Sequence, residues 1–367
     1  MTASQDASSP QDVSSRVIDP RLSPFDAISD GEVDALFASL AHVPGLVLAV
    51  SGGPDSLALL LLAARWRALR GGNAPALLVA SVDHGLRAAA AEEARVVAAL
   101  AEGLGIAARV LVWEGEKPQR GVQEAARAAR YRLLAEAAQD MGASHVVTAH
   151  HRADQAETVL MRLAGGSGVG GLAAMRPVAP LPRTAVLLAR PMLGLTKERL
   201  VAVTLEAGAV AVDDPANGDT RFLRARLREL AHERAALGLT DERLARLAER
   251  CARAEDALAT IAAARFAALA RLDGERLVLC AGLWREPDDI VLRVLALAVL
   301  RVTRASDTPV PLERLERLER ELARAAASAT GLRRTLHGAA VRLDPAGEIH
   351  VVREPPRRRG RGPGPEL

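Results

Sequence analysis

Aromatic residues, cysteine and lysine are all scarce in this chain. Aromatic side chains make up 2% of the 367 residues, so aliphatic side chains and alanine must fill any core. The two cysteines, Cys251 and Cys280, are too few and too far apart for a disulfide framework or a metal-ligand spacing. Only Lys117 and Lys197 are lysines, so arginine supplies almost all of the positive charge. This cysteine usage excludes a disulfide-stabilised secreted domain and fits a reducing cytoplasm.

From the N-terminal residues and the apolar runs we expect neither a targeting leader nor a membrane segment. Its first residues are rich in Ser, Asp and Pro, without the cationic start and apolar stretch of a signal peptide. The most apolar stretch, residues 291–302, is interrupted by Arg293 and Arg301 and is too short to span a membrane. We therefore expect a cytoplasmic protein with no membrane segment. The net charge of +3 is modest for a protein that binds nucleic acid.

The pattern of apolar residues predicts several units along the chain. They are a disordered leader (1–28), an α/β domain (29–218), a helical linker (219–272), a small α+β domain (273–353) and a basic disordered tail (354–367). Within the α/β domain, predicted strands at 46–50, 77–82, 109–113, 145–149 and 185–189 alternate with helices at 55–70, 89–104, 120–140, 154–164 and 196–208. Short apolar strands separated by helices indicate a doubly wound parallel sheet. Ligands bind such sheets at the carboxyl ends of the strands.

The first predicted strand runs directly into Ser51-Gly52-Gly53-Pro54-Asp55-Ser56, and a helix follows at once. Glycines allow a phosphate to approach the backbone, free amides at a helix N-terminus attract anions, and serine hydroxyls add donors. Asp55 would repel a phosphate unless a cation such as Mg²⁺ lies between them. The loop is therefore predicted to bind the phosphates of a nucleotide together with Mg²⁺. It is not a Walker loop, because no lysine follows the glycines.

Further polar residues are expected at the same edge of the sheet. They are Asp83, His84 and Arg87 after the second strand, Gln123, Arg127, Arg130 and Tyr131 on one helix face, His150 and His151 after the fourth strand, Asp154 and Glu157 in the next helix, and Arg221, Arg224 and Arg228 on a later helix. Asp154 and Glu157 are three residues apart, so both can face one cavity and hold Mg²⁺ or an ammonium group. The later arginine stripe suits phosphates of RNA or ATP.

Two motifs in this region are misleading. His150 and His151 could form a metal pair, but no third ligand follows at a zinc spacing. Gly166, Gly168 and Gly171 fit the Gly-x-Gly-x-x-Gly pattern, but they follow a helix and not a strand, so the dinucleotide-binding context is absent. We expect these glycines to form a flexible loop over the active site.

Taken together, these motifs resemble those of the tRNA(Ile)-lysidine synthases, a family within the PP-loop (N-type ATP pyrophosphatase) enzymes. The resemblance spans about residues 45–230 and rests on the Ser51–Ser56 loop, Asp-His-Gly-x-Arg at 83–87, the stretch at 149–158, and Asp-Asp-Pro-x-Asn at 213–217. It implies an enzyme that uses ATP and Mg²⁺ to adenylate the C2 oxygen of the wobble cytidine in tRNA(Ile) with a CAU anticodon. Free L-lysine then displaces AMP, and lysidine is formed.

The residue patterns and the resemblance predict the roles of individual side chains. Catalysis is assigned to Asp55, Asp154 and Glu157, metal binding to Asp55 and Asp154, ATP binding to Ser51, Gly52, Gly53, Pro54, Asp55, Ser56, Asp83 and His84, and substrate or tRNA binding to Arg87, Arg127, Arg130, His150, Arg224 and Arg228. The small C-terminal domain is expected to contact tRNA. The oligomeric state stays open, with a homodimer as one option.

Three positions depart from the family pattern. Ala153 stands where the family usually has Asp, Gly165 where Arg is usual, and Ala225 where Asn is usual. Asp154 is therefore expected to carry the role of the acidic pair, and the loop at Gly165 is expected to contact phosphate more weakly.

Three other functions fit the sequence less well. A tRNA-thiolating enzyme of the same superfamily is disfavoured because no cysteine precedes Cys251 and no Cys-x-x-Cys is present. An enzyme that amidates a small molecule fits less well with the basic helix and the appended domain. A regulatory protein that only binds nucleotide is disfavoured by the presence of Asp55 and Asp154.

Overall fold

A six-stranded sheet forms the first half of the fold. The computed structural model describes residues 28–85, 90–115, 117–118, 120–209, 223–305 and 308–355, so Arg87, Arg221 and the motif at 213–217 lie outside the described residues. The strands are β1 (Gly45–Ala49), β2 (Ala76–Asp83), β3 (Ala107–Val112), β4 (His145–Val147), β5 (Val178–Pro180) and β6 (Leu187–Ala189). Their order is β3-β2-β1-β4-β6-β5, and all neighbours are parallel except β5 and β6.

Helices cover both faces of this sheet. They are α1 (Asp30–Phe37), α2 (Pro54–Arg70), α3 (Ala90–Gly103), α4 (Val122–Asp140), α5 (Arg152–Ala164), α6 (Val169–Leu172) and α7 (Lys197–Glu206). Leu46 and Leu48 of β1 pack into the core formed with α1, α2, α3 and α7, whereas Val47 packs into the core formed with α4. Successive side chains of a strand point to opposite faces of the sheet. Because helices cover both faces, the residues of β1 are apolar throughout, as is typical of a central strand in a parallel sheet.

The centre of this sheet is also its topological switch point. The chain leaves β1 for β2 on one side, and β4 lies on the other side of β1. At a switch point, the chain connections that leave two adjacent strands turn to opposite sides, and a crevice opens beyond the carboxyl ends of these strands. Ligands of open α/β sheets bind in this crevice. The loop that follows β1 begins at Val50, whose amide donates to the Ala80 carbonyl at 3.0 Å. The residues of this loop therefore lie at the expected ligand site.

A second, antiparallel sheet is built from the C-terminal residues. Its strands are β7 (Ala270–Asp273), β8 (Arg276–Leu279), β9 (Leu332–Leu336), β10 (Ala339–Leu343) and β11 (Ile349–Arg353), in the order β7-β8-β11-β10-β9. Helices α11 (Asp288–Thr303) and α12 (Leu312–Ala327) pack on it. Val294 and Leu322 are fully buried between these helices and the sheet.

Three further helices join the two sheets: α8 (Leu223–Glu229), α9 (Ala231–Ala236) and the 29-residue α10 (Asp241–Leu269). Leu244 and Ala248 of α10 bury apolar surface against Ala156 and Val159 of α5. Further along α10, Glu255 accepts two hydrogen bonds from Arg293 of α11, at 2.7 and 2.8 Å. A bidentate pair of this kind fixes orientation as well as distance. The long helix is thus anchored at one end to the first sheet and further along to the second.

Several elements differ from the sequence-based expectation. The sheet is mixed and not purely parallel, because the unpredicted strand β5 pairs antiparallel with β6. Residues 270–273 form strand β7, which pairs with β8, although residues 270–272 were assigned to the helical linker. The segment after α5 forms the short helix α6, and a side chain at Gly170 would lie only 2.8 Å from the Glu255 carboxylate of α10. That segment is packed against α10 and does not form the free loop that was expected.

Among the helices of the described residues, none has the length and apolar character needed to cross a membrane.

Candidate active site

The turn after β1 presents backbone and hydroxyl groups at the switch point. Gly52 has a φ of +89°, which a residue with a side chain rarely adopts, and Gly53 is the N-cap of α2 without a side-chain cap. Ser56 accepts hydrogen bonds from the Ser51 amide at 3.1 Å and lies 3.3 Å from the Ser51 hydroxyl. Its own hydroxyl donates to the Gly53 carbonyl at 2.9 Å. These bonds hold the turn closed and leave the first-turn amides of α2 available for an anion.

Asp55 and Asp154 lie on either side of the His151 ring. The His151 Nε2 atom is 3.5 Å from Asp55 Oδ2 and 3.6 Å from Asp154 Oδ2, so the two carboxylates are no farther apart than the sum of these distances. His151 Nδ1 accepts the amide of Ala153 at 3.2 Å, and the Asp154 carboxylate accepts the His151 amide at 3.0 Å. Because Nδ1 accepts a hydrogen bond, Nε2 carries the proton of the neutral ring and points it between the two carboxylates.

Asp154 and Glu157 also form a buried ion-pair network with two arginines of α8. The Glu157 side chain is 3% exposed and accepts hydrogen bonds from Nε of Arg224 and Nε of Arg228, each at 2.6 Å. The Asp154 side chain is 11% exposed, and its Oδ1 atom lies 3.0 Å from Arg224 Nη2 and 3.4 Å from Arg228 Nη2. Two buried negative charges are therefore matched by two half-buried positive charges, as burial of charge requires.

This network shifts the pKa values of its members. Burial raises the pKa of Asp154, but electrostatic attraction to His151 and Arg224 and the hydrogen bond from the His151 amide outweigh it, so the pKa lies below its ordinary value. Burial lowers the pKa of Arg228, yet the hydrogen bond to Glu157 and the nearby carboxylates raise it overall. Burial also lowers the pKa of His150 to about 3, which the charge of Asp154 only partly opposes. His150 is therefore neutral at physiological pH, and its Nδ1 atom lies 2.9 Å from the Thr148 hydroxyl.

A cationic cluster forms the other wall of the crevice. The guanidinium groups of Arg127 and Arg130 lie 5.0 and 5.3 Å from the centre of the Tyr131 ring. Arg190, directly after β6, is 8% exposed and donates to the Arg176 carbonyl at 2.7 Å. Among the described residues, four of the nine buried side-chain polar atoms without a hydrogen-bond partner lie here: His84 Nδ1, Arg130 Nε, Tyr131 Oη and Arg190 Nε. Since buried polar atoms are normally satisfied, these four indicate that a polar ligand binds against this wall.

The structure brings most of the predicted site residues to one edge of the first sheet. The loop residues Ser51–Ser56 follow β1, Asp83 and His84 end β2, and His150 follows β4, while Asp154 and Glu157 lie in the first turns of α5. Arg224 and Arg228 face the carboxylates of α5, which the sequence did not indicate. The predictions for RNA contact by these arginines, and for Arg87 outside the described residues, stay predictions.

Sequence reasoning missed two residues of the site. His151 was expected at this edge and considered as half of a metal pair, but it was given no role in the site, yet it is the residue that lies between Asp55 and Asp154. Arg190 follows a strand directly, and a polar residue at the carboxyl end of a parallel strand is the signal that could have identified it. The first-turn position of Asp154 could likewise have indicated that its neighbour His151 caps α5.

The residues at this edge fit a divalent cation at Asp55. The Asp55 side chain is 30% exposed, and its Oδ1 atom is buried with no hydrogen-bond partner in the part of the chain that the structure describes. Carboxylate oxygen is a preferred ligand of Mg²⁺, which usually binds through one or two carboxylates and the phosphates of the substrate. Asp154 fits less well, because its Oδ1 faces two arginines and its Oδ2 accepts the His151 amide. A free carboxylate oxygen at the phosphate-binding turn therefore favours Asp55 as the protein ligand.

Comparison with known proteins agrees with this geometry. A family profile described as a PP-loop domain matches residues 27–234, more than half of the chain. The chain is therefore a PP-loop protein with an ATP-binding domain. A solved U34-tRNA thiolase from Methanococcus maripaludis has a similar fold, with a TM-score of 0.51 over 60% of this chain and 77% of that chain at 15% identity. At this identity, the similarity concerns the fold alone.

Closer relatives cover nearly the whole chain. A tRNA(Ile)-lysidine synthase from Bradyrhizobium sp. (strain BTAi1 / ATCC BAA-1182) is 49% identical over 350 residues, which cover 90% of this chain and 96% of the relative. One from Methylobacterium nodulans (strain LMG 21967 / CNCM I-2342 / ORS 2060) is 50% identical over 320 residues, covering 86% and 92%. The chain belongs to the tRNA(Ile)-lysidine synthase family.

Proposed function

We propose that this chain joins free L-lysine to C2 of the wobble cytidine in tRNA(Ile) with a CAU anticodon, through an adenylated tRNA intermediate. ATP is converted to AMP and diphosphate, and the product is lysidine. The observation that carries this function is the position of Asp55, which has a free buried oxygen in a phosphate-binding turn and a second oxygen beside His151 and Asp154. Membership of the lysidine synthase family supports the same reaction.

The first half of the reaction needs a site that stabilises departing diphosphate. The carbonyl oxygen of a pyrimidine ring is a poor leaving group, so it must first be joined to AMP. The first-turn amides of α2 and the Ser51 hydroxyl lie where they can bind the diphosphate portion of ATP, while the Ser56 hydroxyl donates to the Gly53 carbonyl and holds the turn in place. Mg²⁺ held by Asp55 would supply additional positive charge there. The cationic wall of Arg127, Arg130 and Arg190 provides donors for the RNA or for AMP.

The second half of the reaction needs a neutral amine at C2. The ε-amino group of lysine is an ammonium ion at neutral pH and must lose a proton before it attacks. Asp154 and Glu157 supply negative charge that can orient this ammonium, and one of them accepts its proton. Both carboxylates are paired with Arg224 and Arg228 in the structure, so the lysine ammonium competes with these guanidinium groups for the same oxygens.

The RNA reaches this site with its target base unstacked. Bases of a single-stranded loop can be extruded at small cost, which suits a wobble position. The second sheet and its helices, within residues 273–353, supply a further surface for the tRNA, and a homodimer is one arrangement to be tested by light scattering. The predicted contacts of Arg87, Arg127, Arg130 and His150 belong to this part of the proposal.

ATP–pyrophosphate exchange in the presence and absence of the cognate tRNA tests the proposed function. Labelled lysine should enter the tRNA, and replacing Asp55 with Ala should abolish the exchange, because the phosphate turn then loses its cation ligand. Asp140→Ala, which removes an exposed carboxylate at the end of α4, is the matched control and should leave exchange intact. Retention of full exchange by Asp55→Ala would contradict the assignment of this loop.

A thiolating activity is the alternative to be tested alongside. Such an enzyme needs reactive sulfur, and the two cysteines of the sequence lie on separate elements, α10 (Cys251) and the residue directly after β8 (Cys280), and not in a Cys-x-x-Cys pair. Incorporation of sulfide into the tRNA, with no lysine incorporated, would favour thiolation over lysine ligation.

A further inference from the structure

A partly exposed tryptophan lies beside the candidate active site. Trp113 follows β3 directly, and its amide donates to the Asp83 carbonyl at the end of β2 at 2.9 Å. The strand order β3-β2-β1 places it two strands from the phosphate-binding turn, or about 10 Å at the usual strand spacing. Trp113 is therefore at the same carboxyl edge as the reactive residues, although neither the catalytic network nor the cationic wall uses it.

The other two tryptophans of the chain have a packing role. Trp66 is fully buried and stacks on Phe37, with 5.0 Å between the ring centres. Trp284 packs against the core of the second sheet, and its indole N–H donates to the Gly347 carbonyl at 3.0 Å. Among the described residues, Trp113 belongs to none of the apolar cores. A large flat ring left partly exposed at a ligand-binding edge is suited to contact a planar ligand.

Lys117 holds its ammonium group over the ring of Trp113. The Nζ atom lies 4.4 Å from the ring centre and donates to the Trp113 carbonyl. A side chain at Gly85 would lie 4.0 Å from Lys117 Cε, so the lysine stem runs beside the turn after β2. These are its contacts within the described residues, and an ammonium group has three donors. Two donors therefore remain for a ligand that carries negative charge.

His84 gives separate evidence of a polar ligand at this point. Its ring meets that of Trp113 edge-on, with 6.2 Å between the ring centres and 87° between the planes. His84 Nδ1 is buried with no hydrogen-bond partner among the described residues. Burial and the charge of Arg130 hold the pKa of His84 below its ordinary value, so the ring is neutral at physiological pH. Because a buried ring nitrogen is normally satisfied, a group with a donor or an acceptor is expected beside it.

A flat apolar ring, a cation and an unpaired ring nitrogen thus lie together at the ends of β2 and β3. Proteins that bind single-stranded nucleic acid stack bases on aromatic side chains and bind the phosphates with nearby cations. The polar edge of a base carries both donors and acceptors, so it can satisfy a neutral histidine in either tautomer. This set of groups therefore matches a nucleotide better than it matches a phosphate or an apolar molecule.

We propose, building on the function proposed above, that Trp113, Lys117 and His84 bind a nucleobase of one of the substrates. The base stacks on the Trp113 ring where the Lys117 ammonium group now lies, and its polar edge faces His84. Lys117 then binds the phosphate of the same nucleotide. This exchange is favourable because a cation–π contact near the surface contributes less than base stacking does. The base comes from ATP or from the RNA loop, since both reach this edge of the sheet in the proposed reaction.

Quenching of tryptophan fluorescence measures the stacking directly. The full-length protein is titrated without lysine, first with ATP and with an anticodon stem–loop RNA. The base-free counterparts follow, namely inorganic tripolyphosphate and the same RNA with abasic sites in its loop. ATP or the intact RNA should quench, its base-free counterpart should not, and the ligand that quenches identifies the source of the base. The quenching should disappear in Trp113→Phe, which retains Trp66 and Trp284. If neither ligand causes quenching that depends on Trp113, the proposal is overturned.

Steady-state kinetics separates stacking from a merely structural role. Trp113→Leu should raise the KM for the stacked ligand about tenfold with little change in kcat, because stacking is the same before and during the reaction. Trp113→Phe keeps an aromatic ring and should retain most of the affinity, whereas Lys117→Gln should weaken binding about threefold. Arg95→Gln, which removes an exposed cation from α3, is the control and should match the wild type. Equal losses in the Leu and Phe variants would show that the indole serves packing and would overturn the proposal.

The fluorescence titrations require no turnover, so failure of this site and failure of the proposed function can be distinguished. Quenching that depends on Trp113, in a wild type that incorporates no lysine, would support the site and count against the proposed function. Lysine incorporation by a wild type without such quenching would remove this site alone. If thermal unfolding shows that Trp113→Leu does not fold, the Trp113→Phe and Lys117→Gln variants decide the outcome.

Discussion

The two sheets of this protein bury very different side chains. Among the described residues, every buried polar or charged side chain, including His151, Asp154, Glu157 and Arg190, lies between residues 56 and 234. The buried side chains between residues 270 and 353 are all apolar, and charged groups there pair near the surface. Burial of charge is costly unless the charge is paired, so it is expected where the chemistry requires it. The first sheet therefore carries the reactive site, and the second is built for packing.

The difference follows from how each sheet is connected. In the parallel part of the first sheet, all strands end at one edge, so the residues after β1, β2, β4 and β6 meet there. In the antiparallel sheet, successive strands run in opposite directions, and the residues that follow them are divided between both edges. A cluster of polar residues can therefore form at one edge of the first sheet without disturbing its core.

The largest expected effect comes from removing both cations of the buried network. In Arg224→Ala/Arg228→Ala, Asp154 and Glu157 stay buried with no arginine partner, which should lower the free energy of unfolding by about 3–5 kcal/mol at neutral pH. Asp154 has a lowered pKa in the wild type, so its stabilising contribution is present at neutral pH and is lost as the pH falls through that pKa.

In the double variant His151 still lowers this pKa but the arginines no longer do, so the pKa rises and protonation relieves the unpaired charge. The difference in stability between variant and wild type should therefore shrink on acidification, measured by urea unfolding at a series of pH values. A difference that stays constant with pH would show that the carboxylates of the first sheet do not depend on these arginines.

The next largest effect is expected in the apolar core of the second sheet. Leu322→Ala removes a fully buried side chain of α12 and should cost about 2–5 kcal/mol of stability with no dependence on pH between 5 and 8. ATP–pyrophosphate exchange should be retained below the unfolding temperature, because the core of the first sheet is separate. Loss of exchange in a folded Leu322→Ala protein would break the division of roles between the two sheets.

A smaller effect is expected from the buried histidine of the first sheet. The pKa of His150 is lowered to about 3, so the unfolded chain takes up a proton at this residue at a higher pH than the folded chain does. Stability therefore falls as the pH drops below the ordinary histidine pKa. Between pH 6.5 and 5, protonation of His150 in the unfolded chain should lower the free energy of unfolding of the wild type by about 1–2 kcal/mol. In His150→Gln this contribution should be absent, which thermal unfolding at both pH values measures. An imidazole NMR signal from His150 that titrates near pH 6.5 would contradict the burial argument.

The smallest effect is expected at an ion pair that belongs to neither core. Arg132 and Glu136 pair at 2.8 Å on the outer face of α4, and both side chains are more than half exposed. Glu136→Gln should change the free energy of unfolding by less than about 0.5 kcal/mol, because exposed pairs contribute little. A cost above 1 kcal/mol in urea unfolding would show that charge at the surface matters as much as charge in the network of α5 and α8.

Much of the first sheet could be predicted from the sequence because its signals are local. An apolar run between Leu46 and Val50, two glycines and a proline at N1 of α2 indicate strand, turn and helix within a dozen residues. Strand β5 was missed because it has three residues and one of them is Pro180, which is typical of an edge strand and carries no strong pattern. Strand β7 was missed because it follows α10 without a break in composition.

By itself, the sequence determined the alternation of strands and helices, the phosphate-binding turn and the position of Asp55 within it, since each depends on neighbours in the chain. Only the tertiary structure decided which charges meet. Arg224 and Arg228 reach Asp154 and Glu157 across about seventy residues, and His151 comes to lie between two carboxylates from different helices. Such contacts depend on the path of the whole chain, because a buried charge takes its partner from whatever elements the fold packs against it, and residue spacing does not encode that packing.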